Sequence, residues 1–94
     1  MTEINSIIAK LKSQGYNPTI AKMVAIELLG VSPILQSCVN KWLNGIEVDY
    51  ECSGYSIIGL MESRQMTYPA ALLSIDWLIK EPEQAKKSIA KGSR

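Results

Sequence analysis

The sequence predicts an all-α fold, a compact bundle of five to six short helices joined by tight turns, within a single domain spanning residues 1–94. Three observations predict it. Apolar residues recur at three- and four-residue spacing in successive segments, which is the period of a helix with one face on a core. Capping residues followed by proline open several of those segments, at Asn17-Pro18, Ser32-Pro33 and Thr67-Tyr68-Pro69, and Gly15, Gly30 and Gly45 close them. The chain has 94 residues and is 47% hydrophobic, enough for one domain to bury a core without a disulfide or a metal ion.

The first helix is expected over residues 3–14, where Ile4, Ile7, Ile8 and Leu11 form a stripe and Gly15 supplies the stop. In the second, over 18–29, Ile20, Met23, Val24, Ile26, Leu28 and Leu29 spread around the whole helix, interrupted by Lys22 and Glu27. A helix apolar on most sides is buried or covered by a partner. The third, over 33–44, is cleanly two-faced. Ile34, Leu35, Cys38, Val39, Trp42 and Leu43 occupy one half, while Gln36, Ser37, Asn40, Lys41 and Asn44 occupy the other. Trp42, and Trp77 further on, read as core anchors on amphipathic helices.

The next stretch, "IEVDYE", alternates Ile46, Val48 and Tyr50 with Glu47, Asp49 and Glu51, a strand-like period of two. No second strand is evident to pair with it, so it reads as an extended connector. A fourth helix is expected over 54–65, with Ile57, Ile58, Leu60 and Met61 as its stripe. The fifth, over 69–80, has only Ser74, Asp76 and Lys80 as polar residues and should be the most buried. The sixth, over 82–91, starts acidic at Glu83 and ends basic at Lys86, Lys87 and Lys91, which suits the helix dipole. Its apolar content, Ala85 and Ile89, is thin.

The two halves can be aligned as helical-hairpin pseudo-repeats. Gly15-Tyr16, Ser32-Pro33 and Trp42-Leu43 match Gly54-Tyr55, Tyr68-Pro69 and Trp77-Leu78 in order, with unequal gaps. Such a repeat would stack two hairpins into a protein-binding module.

Composition excludes several classes of chemistry. The chain has no histidine, so the commonest general base is missing and no Cys–His or Ser–His pair can form. Its two cysteines, Cys38 and Cys52, are too few for a structural zinc site. Cys38 lies on an apolar face, as a packed core thiol does, and no neighbouring Lys, Arg or His activates Cys52. The acidic trio Glu47, Asp49 and Glu51 lacks the glycine and spacing of a calcium loop and reads as a solvated edge. Gly54 and Gly59 are too isolated to cradle a phosphate. The sequence therefore predicts no enzyme, no catalytic residue, no metal, no cofactor and no small-molecule substrate. It shows no basic-then-apolar leader and no membrane-length apolar run, so the expected location is cytoplasmic, with reduced thiols.

The stretch from Val24 to Gly45 contains "IELLGVSP" followed by "VNKWLNG". It resembles the helix-turn-helix of Cro- and repressor-like DNA-binding regulators, in which a Gly-Val-Ser turn leads into the recognition helix. The resemblance covers about a quarter of the chain. It departs from the pattern in two ways. Ile26 stands where the family favours a small residue, and Gly30 to Asn44 is about one helical turn longer. The resemblance implies that Gln36, Ser37, Asn40 and Lys41 would face the bases. Phosphate affinity needs basic residues around that face, and Lys22 and Lys41 are the only ones between Tyr16 and Ser63. The net charge of +1 supplies no general attraction, although the basic tail of Lys86, Lys87, Lys91 and Arg94 could contribute.

The function expected first is thus a small, cytoplasmic, non-catalytic protein-interaction module, an adaptor or modulator that pairs with a protein partner or with itself as a homodimer. Its candidate contact residues are Met23 and Ile26 on the apolar second helix, and Tyr50 and Tyr55 beside the acidic connector. Tyrosines at turns suit interfaces because the ring packs while the hydroxyl stays wet, and Tyr16 and Tyr68 share that setting. The alternative is a DNA-binding regulator acting through Gln36, Ser37, Asn40 and Lys41, with no role for a membrane in either case.

Overall fold

A computed structural model describes residues 4–90. Along these the chain forms α1 (Ile4–Ser13), α2 (Pro18–Leu29), α3 (Pro33–Leu43), β1 (Glu51–Cys52), β2 (Tyr55–Ser56), α4 (Ile57–Arg64), α5 (Tyr68–Lys80) and α6 (Pro82–Ala90). The all-α class expected from helical periodicity is therefore what the chain adopts, with one short hairpin added. Observed helix ends lie within a residue or so of the expected ones, except at the start of α4. Lys91 and Arg94 of the basic tail lie outside the described residues. Two compact units divide at Val48 and Asp49.

The first unit holds α1, α2 and α3, and its turns use the capping signals visible in the sequence. After α1, Gly15 takes φ +95°. The Tyr16 N–H then reaches the Leu11 carbonyl and the Gly15 N–H the Lys12 carbonyl, both at 3.1 Å, the paired bonds that close a helix on a left-handed glycine. Gly45, at φ +86°, ends α3 in the same way, with Ile46 N–H bonded to Lys41 and Gly45 N–H bonded to Trp42, each at 2.9 Å. Asn17 caps α2: its Oδ1 accepts from Thr19 N at 2.8 Å and Ile20 N at 3.4 Å, while Pro18 occupies the first turn. Ile7 and Leu11 of α1, Ala21, Ala25 and Leu28 of α2, and Leu35, Cys38, Val39 and Trp42 of α3 are buried. Lys10 of α1 lies over the Trp42 ring, 5.2 Å from its centroid, a cation–π contact between the first and third helices.

The second unit begins with the hairpin, which corrects the reading of "IEVDYE" as an unpaired connector followed by a helix from residue 54. Its missing partner is Tyr55–Ser56, paired antiparallel with Glu51 opposite Ser56 and Cys52 opposite Tyr55. Ser53 and Gly54 both take positive φ, +54° and +86°, the geometry of a two-residue turn whose twist matches the strands. Strands of two residues are too short to display an alternating pattern, and Ser-Gly is a weaker turn signal than Asn-Gly.

Helix α4 accordingly starts at Ile57, and every donor of its first turn finds a partner. Ile57 N–H bonds to the Tyr50 carbonyl at 3.2 Å. Ile58 N–H bonds to Asp49 Oδ1 and Gly59 N–H to Ser56 Oγ, each at 2.9 Å. The last bond explains Gly59, since a Cβ there would stand 2.7 Å from Ser56 Oγ. Helix α5 packs against α4, α6 and the hairpin and buries Tyr68, Pro69, Ala71, Leu72, Ile75, Asp76 and Leu78. It is the central helix of its unit, as its composition requires.

Three local expectations change. Tyr68 is buried rather than at a wet turn. Trp77 is only half-buried, with its Nε1 donating to Glu81 Oε1 at 3.1 Å, so it straddles core and surface where Trp42 is a true anchor. The pseudo-repeat does not extend to local structure, because Gly15-Tyr16 ends a helix whereas Gly54-Tyr55 turns a hairpin. Asp76, although buried, is paired one turn along α5 with Lys80, whose Nζ lies 2.9 Å from its Oδ2.

Candidate protein-contact surface

Helix α2, apolar on most sides, is expected to be buried or covered by a partner. It buries its small residues. Ala21, Ala25 and Leu28, at spacings of four and three, form the seam against the rest of the unit. The larger side chains stay in solvent: Met23 is 58% exposed, Ile26 54%, Ile20 47% and Leu29 38%. At about 100° per residue, Met23 and Ile26 sit at the centre of the face opposite the seam. Lys22 and Glu27 flank them on opposite sides, both exposed. Ile34 at the start of α3 and Ile46 after its end are also exposed. The signal that could have revealed this arrangement was the alanine spacing, since two alanines a turn apart allow close approach of a neighbouring helix.

The α2–α3 turn is held by a residue that the sequence placed on a reading face. Gln36 Nε2 points back across the turn and donates to the carbonyls of Leu29 at 2.7 Å, Val31 at 3.2 Å and Leu28 at 3.5 Å. It thereby satisfies carbonyls that the end of α2 leaves without intrahelical partners. Gly30 does not use its glycine freedom there, since its φ is −97°. Val31 in the same turn is buried. Replacing Gln36 with alanine should lower stability by about 1–2 kcal/mol, because part-buried carbonyls lose their donor. Urea denaturation would read this as a lower midpoint at unchanged slope.

Ser37, Asn40 and Lys41 are exposed on one side of α3, at spacings of three and four. Asn44 Nδ2 donates to the Asn40 carbonyl at 3.0 Å. Of the four residues assigned to base contact, three thus share an open polar face with a single lysine, and Gln36 is engaged in the turn.

In the second unit, Tyr50 and Tyr55 are both half-buried. Tyr55 lies within the hairpin opposite Cys52, and Tyr50, just before the first strand, bonds through its carbonyl to Ile57 N–H. Asp49, from the acidic trio, accepts from Tyr50 N and Ile58 N through the same Oδ1, each at 2.9 Å. It is a tie between the hairpin and the start of α4. Asp49→Ala should cost about 1–2 kcal/mol by removing a charged cap from the helix N-terminus, and Asp49→Asn should recover part of it. Thermal melts of the three proteins would rank them. Among the described residues no group of three or more His, Cys, Asp or Glu side chains could hold a metal ion, and no disulfide is present. No helix among them is long and apolar enough to cross a membrane.

Neither a family model nor a solved structure matches the chain. Two curated proteins do, each named "Putative response regulator NtrX-like", from Rickettsia conorii and Rickettsia felis. Each is 31% identical over 72 residues, which is 74% of this chain and 14% of the relative. The chain is therefore similar to a small segment of each and spans about a seventh of their length.

Proposed function

We infer that the chain is a non-catalytic, cytoplasmic protein-interaction module whose contact face is the outer side of α2. The observation that carries this reading is the exposure of Met23 and Ile26 in the middle of a helix whose packing is done by alanines. Leaving long apolar side chains in water forgoes their burial, of roughly 1.5–3 kcal/mol each, and contiguous patches of this kind mark interaction sites. Methionine suits such a face because its flexible thioether fits irregular partner surfaces. Ile20 and Leu29 widen the patch, and Lys22 and Glu27 give it a polar rim. Tyr50 and Tyr55 are the weaker contact candidates, since both are already half-buried.

The test is recovery of the tagged chain and its Met23→Gln/Ile26→Gln variant from the cells that make it, compared by mass spectrometry. A stoichiometric companion, or a second copy, retained by the first and lost by the second is the expected outcome. Equal recovery by both proteins would remove the reading.

The second reading is DNA binding through Ser37, Asn40 and Lys41, with Gln36 holding the turn. It is favoured by the openness of that face and by the similarity to proteins named as putative response regulators. Against it stands the scarcity of positive charge. The segment up to Val48 carries Lys10, Lys12, Lys22 and Lys41 against Glu3, Glu27 and Glu47. Sedimentation with a short DNA duplex decides the matter. Association at low salt that collapses as salt rises would support DNA binding, and none at any salt would exclude it.

A further inference from the structure

We propose that the partner on the outer face of α2 is a second copy of the chain, with the two α2 helices side by side and parallel about a two-fold axis. This rests on the reading of α2 as a contact face and adds the identity and orientation of its occupant. The argument starts from the order of residues around the exposed side. Met23 and Ile26 are three apart at its centre, in the positions that coiled-coil pairs use as their apolar seam. Lys22 immediately precedes the first and Glu27 immediately follows the second, so the flanking charges are opposite in sign and five residues apart.

That spacing distinguishes the two ways of pairing identical helices. In a parallel two-fold pair, a flanking residue faces the one five positions later on the partner helix, so Lys22 meets Glu27 of the second copy, and the symmetry makes the contact twice. In an antiparallel pair, each flanking position faces its own counterpart, so lysine meets lysine and glutamate meets glutamate. The charges therefore favour one orientation and penalise the other. A two-fold interface needs a self-complementary surface, and this face has one: apolar at the centre, with positive and negative flanks. The seam of Ala21, Ala25 and Leu28 lies on the other side, where α2 meets its own unit, so the pairing displaces no internal contact.

Equilibrium sedimentation of the full chain over a range of concentrations, at low salt, tests this. The wild-type chain should show a monomer–dimer equilibrium. Lys22→Glu places like charges together at both flanks and should weaken the dimer by roughly tenfold. Combining Lys22→Glu with Glu27→Lys reverses both pairs and should restore the wild-type constant. Met23→Gln with Ile26→Gln should abolish the dimer, and circular dichroism should show every variant folded, since all four positions are exposed.

A dimer lost with the glutamine pair yet indifferent to Lys22→Glu would overturn the parallel arrangement. A dimer indifferent to every variant would place self-association elsewhere and overturn the proposal. A monomer at all concentrations would overturn it too. The broader reading of the α2 face would in that case stand or fall on whether Met23 and Ile26 retain a different protein.

Discussion

Trp42→Ala should lower the stability of the chain by about 3–5 kcal/mol, the cost of removing a large buried aromatic side chain. Trp42 is 2% exposed and sits among the residues that close the core of the first unit. Its loss leaves a cavity in that core, and it removes the ring over which Lys10 rests. A domain of this size has on the order of 5–14 kcal/mol in total, so the variant should be partly unfolded at modest temperature. Trp77→Ala provides the contrast. That ring is half-buried and turns its N–H toward Glu81, so a markedly smaller loss is expected. The two denaturation curves, measured side by side, check the distinction, and equal losses would contradict the placement of the two rings.

The second large effect runs against ordinary intuition about hydrophobic residues. Ala25→Leu should destabilise by about 3 kcal/mol, the upper end of the range for overpacking, although it adds apolar surface. Ala25 and Ala21 are fully buried at the closest-packed seam of the first unit, and a longer side chain there must push the helices apart. Met23→Gln and Ile26→Gln, each removing an apolar side chain from the same helix, should stay within about 0.5 kcal/mol when measured on the dilute monomer, since both positions face solvent there. Urea midpoints of the three variants test this directly. A stable Ala25→Leu protein together with a collapsed Met23→Gln protein would mean that α2 presents the opposite face to the core.

Much of the architecture was legible because it depends on local chemistry. Asn17-Pro18, Gly15 and Gly45 mark helix ends through the conformations their own backbones can adopt, so the bounds of α2 and α3 could be read almost to the residue. The two-faced pattern of α3 was similarly plain, and Leu35, Cys38, Val39 and Trp42 are buried as it requires, whereas Ile34 on the same half is exposed. The hairpin was not legible, because its strands are two residues long and its partner is supplied by residues that read equally well as a helix start. The role of Gln36 was hidden for a different reason. Nothing in its spacing distinguishes a glutamine that looks outward from one that reaches back to the carbonyls of Leu28, Leu29 and Val31. Asp49 is the same case, since its bond to Ile58 N spans nine residues.

The all-α class and the approximate extent of the helices could be read from the chain alone. These follow from periodicity, capping and composition, which are properties of neighbouring residues. Which side of α2 faces inward depends on packing between helices. Hydrophobicity alone does not say which apolar residues of α2 meet the core, but helices that approach closely need small side chains between them. The alanines therefore took the inside, and the larger residues stay exposed.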